Sequence, residues 1–117
     1  MEYKFIPFKW LARMDGFGYP IDVYYGTIYL GLLEVEPNGL EIKMVDGPVG
    51  KVLIKPGRNN IFKTQLDAAK VLHRTWKILR QGDEPPEDLG KYTAGPVPVP
   101  VEELKLAKLI PKKYKKK

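Results

Sequence analysis

An α+β fold, in which one helix packs across a small antiparallel sheet of three or four strands, is what these 117 residues predict. Three observations carry that expectation. Two stretches of alternating character, LGLLEV and LEIKMV, flank the turn signal Pro37-Asn38-Gly39. One long stretch after Thr64 repeats its apolar residues every three or four positions, the period of a helix with one buried face. The segment GPVPVPV, with alternate prolines that fix φ and remove backbone donors, reads as an extended arm beyond the folded part.

The first stretch carries Tyr3, Phe5, Phe8 and Trp10 and is a strand or an aromatic lead-in, and Pro7 bars it from a central position in a sheet. MDGFGYP, residues 14–20, is a loop built from glycine and proline. From Ile21 the pattern is β-like as far as Val35. Leu33 and Val35 share one face with Leu40, Ile42 and Met44, which leaves Glu34, Glu36, Glu41 and Lys43 on the other. DGPVG breaks the chain, KVLIK is a further short strand, and PGRNN turns again.

Thr64 suits a helix N-cap, with Asp67 three residues on. The helix buries Leu66, Ala69, Leu72, Trp76 and Leu79 and presents Asp67, Lys70, Arg74, Lys77 and Gln81 to solvent. Acid at its start and base at its end suit the helix dipole, and Gly82 stops it. His73 is read as a partly exposed surface residue. The chain thus divides into a body (1–82), a proline-rich linker (83–100) and an amphipathic, lysine-rich end (101–117). VEELKLAKLI within that end is too short to hold a helix alone and needs a surface to dock on.

Composition excludes several chemistries. The chain has no cysteine and no serine, and its single histidine is His73, so no Ser-His or Cys-His nucleophile pair can be assembled from it. A lone histidine lacks the second ligand or oriented partner that metal or acid–base work needs. Gly16 and Gly18 are followed by no third glycine, so the dinucleotide fingerprint fails, and no phosphate-loop pattern occurs. The expectation is a non-enzymatic protein with no catalytic residues, no metal, no cofactor and no small-molecule substrate. No apolar run approaches a membrane span, and the start lacks a signal-peptide core. A cytoplasmic or intravirion location is expected, not a secreted one and not a membrane partner.

Charge is unevenly placed. Residues 1–90 hold twelve lysines and arginines against twelve acids, whereas eight lysines face two acids from Lys91 onward. The formal excess of +6 therefore belongs to the C-terminal segment. Lys112, Lys113, Lys115, Lys116 and Lys117 surround Tyr114, a pattern that neutralises phosphates and offers one ring for stacking on a base. Lys70, Arg74 and Lys77, with Arg80 and His73 nearby, form a second candidate phosphate-tracking face. Val97, Val99, Val101, Leu104, Leu106, Leu109 and Ile110 are the candidate docking residues of the arm. Two functions follow. The first is a nucleic-acid-associated protein, with a virus as a candidate source, that grips the backbone largely through its lysine-rich tail and with little sequence preference. The alternative is a structural or assembly component of a virion or ribonucleoprotein, whose arm docks on a neighbouring subunit.

The stretch IYLGLLEVEPNGLEIKMVDG, then KVLIK, then IFKTQLDAAKVLHRTW resembles a known pattern. Phe62-Lys63-Thr64 followed by Ala68-Ala69 is similar to the small three-stranded-sheet-plus-helix DNA-binding domain at the front of phage integrases. The resemblance covers about residues 28–79. It implies a DNA-binding architecture in which the sheet enters the major groove.

Overall fold

Five strands follow one another as an antiparallel meander in the computed structural model, which describes residues 2–90. They are β1 (Tyr3–Pro7), β2 (Pro20–Tyr25), β3 (Ile28–Glu36), β4 (Gly39–Gly47) and β5 (Gly50–Leu53). A two-residue strand, β6 (Ile61–Phe62), pairs with β4 beside β5, and α1 (Gln65–Arg80) then packs across one face. The α+β class is as expected, but the sheet is larger than three or four strands. The reason is a two-residue turn at Gly26-Thr27 that splits the β-like run from Ile21 to Val35 into two long strands. Gly26 takes a φ of 63°, the positive value such tight hairpins demand at their first central residue. β1 is a genuine strand, and Pro7 is tolerated because β1 lies at the edge.

The core is the helix-facing side of the sheet: Ile21, Val23, Leu30, Leu33, Ile42 and Val45 meet Ala69, Leu72, Trp76 and Leu79. One expected member is displaced. Leu33 pairs with Ile42 but Leu32 pairs with Met44, so Lys43 is an extra residue in β4. This bulge reverses the alternation. Val45 takes the core position, and Met44 turns with Leu32 to the opposite face.

Thr64 caps α1 as expected: its Oγ1 accepts a hydrogen bond of 3.1 Å from the Asp67 backbone N–H. That bond satisfies one of the four donors a helix N-terminus leaves unpaired, so Thr64→Ala is expected to cost about 1 kcal/mol of stability in urea unfolding. Two expectations for α1 change. Leu66, in the first turn, is 48% exposed and outside the buried stripe, which begins at Ala68. His73 is only 3% exposed, for it lies three residues before Trp76 and four after Ala69 on the packed side. Thr75 is buried too, and its hydroxyl donates to the Val71 carbonyl, which removes the cost of an unpaired group.

The acidic stretch after the helix, expected to be linker from residue 83, is tied to the body as far as Gly90. Leu89 is fully buried, and its N–H donates to Asn60 Oδ1 at 2.9 Å. Asn60, itself buried, donates through Nδ2 to the Lys55 carbonyl. One side chain thus joins three segments that have no ladder between them.

Candidate nucleic-acid interface

The two faces of the sheet give the body two electrostatic sides. The face away from α1 carries Asp22, Glu34, Glu36 and Glu41 against Lys4, Lys43 and Lys51, by the alternation that buries Ile21, Val23 and Leu33 on the other side. Glu34 and Glu41 stand directly opposite each other across β3 and β4, a like-charge pairing that destabilises a sheet unless something offsets it. Carboxylate oxygens of Glu34, Glu36 and Glu41 lie within 4.8 Å of one another. Arg13, from the β1–β2 loop, reaches Glu36 at 3.0 Å, and the Lys43 ammonium is 3.8 Å from Glu41. Glu34 is pushed above the usual carboxylate range, first by the hydrogen bond it shares with Glu36 and then by burial. Glu36 is held below it by that same bond and by Arg13. By spacing this trio suits a hard divalent cation, but Arg13 and Lys43 already answer two of its carboxylates.

The outer face of α1 is the basic side. Lys70, Arg74 and Lys77 recur at four and three residues, and all three are partly exposed, so the sequence placed them together correctly. Lys63, just before the cap, is exposed. Arg80 does not join this row. Its guanidinium sits 3.8 Å over the Trp76 ring and donates to the Asp46 carbonyl at 2.6 Å and to the Asp46 carboxylate at 3.4 Å. It clamps the end of the helix to β4. His73 does not join it either. Its Nδ1 lies 2.9 Å from the Tyr3 hydroxyl, and its ring is surrounded by Tyr3, Tyr25 and Trp76. Burial, and then the Lys77 charge, lower its pKa to about 4. At neutral pH the ring is uncharged.

Comparison with protein-family models, curated proteins and solved structures returns no significant match. The reading of the site therefore rests on the chain's own chemistry. Lys112, Lys113, Tyr114, Lys115, Lys116 and Lys117, and the docking residues Val97, Val99, Val101, Leu104, Leu106, Leu109 and Ile110, lie outside the described residues. No helix among the described residues is long and apolar enough to cross a membrane.

Sequence reasoning missed two features of this surface. The first is the crowding of three carboxylates. It is foreshadowed by their shared face, but the register that sets Glu34 opposite Glu41 depends on the length of the Pro37-Asn38 turn. The second is an exposed apolar group in the β1–β2 loop, where Trp10 is 75% exposed and Leu11 and Met14 are exposed beside it.

Proposed function

We propose that the protein is a non-enzymatic, nucleic-acid-associated protein that meets phosphate through the outer face of α1 and the C-terminal lysines. The observation that carries this reading is the segregation of charge: a basic helix face on one side of the body and an acid-rich sheet face on the other. A polyanion is attracted to the first and repelled by the second. This departs from the binding mode of the integrase domain that the sequence resembles. There the sheet enters the groove, whereas here four acids on the outer sheet face oppose phosphate, and contact is assigned to Lys70, Arg74 and Lys77.

Side chains that contact phosphate alone carry no base information, so binding should be almost blind to sequence. The test is titration of labelled duplex DNA and of single-stranded RNA with the full chain and with Lys70→Gln/Arg74→Gln/Lys77→Gln. Affinity is expected to fall about tenfold in the triple variant at low salt. Equal affinity of the two proteins would remove the helix from the interface.

The exposed Trp10, Leu11 and Met14 favour a second reading, that of an assembly component, because apolar side chains grouped at the surface mark interaction sites. On that reading Trp10→Ala is the variant that loses assembly while nucleic-acid affinity stays unchanged.

A further inference from the structure

The sheet has two broad faces, and α1 covers one. Among the described residues no second layer of secondary structure lies on the other. That open face is not uniformly polar. The register aligns Ile6, Asp22, Leu32, Met44 and Leu53 in one row across five strands, so four of its five side chains are apolar. Ile6 and Leu53, at the two ends, are exposed, Leu53 to 81%, Leu32 is half-buried and Met44 is buried, so the free apolar surface lies toward the ends of the row. A row of this kind on an otherwise charged face is the pattern of a docking surface rather than of a solvated one. Beside it lies the acidic trio, in which Glu34 and Glu41 oppose each other with one lysine near them.

The end of the described chain points to what covers this face. Gly90 lies against the Asn59 backbone, so close that a Cβ there would overlap it. Asn59 is two residues from Ile61, and Ile61 is the β6 partner of Glu41. The chain therefore leaves the body at the edge that borders the acidic trio. Residues 91–100 then span up to about 31 Å at the 3.1 Å rise of a proline-rich stretch. That length matches the 28 and 27 Å shorter dimensions of the molecule. The residues that follow are VEELKLAKLI, with Val101, Leu104, Leu106, Leu109 and Ile110 interleaved with Lys105 and Lys108.

We propose that residues 101–110 of the same chain dock on the open sheet face, setting apolar side chains on Ile6, Leu32 and Leu53 and Lys105 and Lys108 toward Glu34, Glu36 and Glu41. Lys51, exposed on the same face, is a counter-charge for Glu102 and Glu103. Covering the row removes apolar surface from water, and the incoming ammonium groups relieve the Glu34–Glu41 opposition. Lys112–Lys117 remain downstream for phosphate, so docking and nucleic-acid binding succeed or fail independently.

The chain has no cysteine, so Ala107→Cys gives the full protein a single attachment point for a nitroxide label. Amide signals of Asp22, Leu32, Glu34, Met44 and Leu53 are expected to be lost on labelling, while those of Lys70, Arg74 and Lys77 persist. The pattern should be absent when spin-labelled protein without ¹⁵N is mixed with unlabelled ¹⁵N protein. Lys105→Glu/Lys108→Glu, which alters nothing in the body, should restore the signals. Intact sheet signals, losses shared with the helix face, or losses that appear in the mixed sample would each overturn docking within one chain. The last of these would point to the arm of a second copy.

Discussion

Gly31→Val is expected to destabilise the protein by about 3 kcal/mol or more, the sum of roughly 1–3 for backbone strain and roughly 1–3 for overpacking. Gly31 sits in the middle of β3 with φ at 154°, where side chains are rarely accommodated. A Cβ at that position would overlap the Met44 backbone carbonyl and come within 3.0 Å of Leu72 Cδ1. The first obstacle is a neighbouring strand and cannot swing aside. The second is the centre of the helix–sheet contact, since Leu72 is fully buried. Urea unfolding checks the prediction through a lower midpoint at unchanged slope. A loss below 1 kcal/mol would mean that α1 does not press on β3 as closely as described.

Acidification should weaken the fold before the carboxylates titrate. His73 is neutral in the folded protein with a pKa near 4, whereas an exposed histidine titrates near 6.5. The unfolded chain therefore binds the proton first. Stability that is fully present above about pH 6.5 declines as pH falls toward 4, by up to roughly 3 kcal/mol, and declines no further on this account below that. Desolvation among Tyr3, Tyr25 and Trp76 is the main cause, and the positive charge of Lys77 adds to it. Unfolding free energies between pH 7 and 5 should slope with pH in the native protein and run flat in His73→Leu, whatever the absolute stability of that variant. An equal slope in both would place the titrating group elsewhere.

Local chemistry is why much of the fold was legible. Thr64 and Asp67 mark the start of α1, and Pro37-Asn38-Gly39 marks the β3–β4 hairpin, because caps and tight turns depend on a few adjacent residues. What escaped depends on contacts between distant segments. The bulge that exchanges Met44 for Val45 is a matter of β3 register. The burial of His73 needs Tyr3 from an edge strand seventy positions away, although its spacing from Ala69 and Trp76 was a usable sign. Leu89 falls in a stretch that predicts a linker, because nothing adjacent to it indicates that Asn60 will hold its N–H. The basic row on α1 was readable from helical spacing alone, yet the exclusion of Arg80 from it required the Trp76–Asp46 clamp.

The proposed function rests on where the charges stand. The helix offers Lys70, Arg74 and Lys77, the sheet offers acids and an apolar row, and the excess positive charge follows Gly90. A protein so arranged can face a polyanion with one side while keeping the other for a protein segment.

The most direct test of the phosphate reading is the slope of log affinity for duplex DNA against log salt. Each phosphate neutralised contributes about −0.9, so the full chain should show a steep line, and Lys70→Gln/Arg74→Gln/Lys77→Gln a line shallower by roughly 3. Binding that does not change with salt, or the same slope in both proteins, would contradict an interface built on the lysines and arginine of α1.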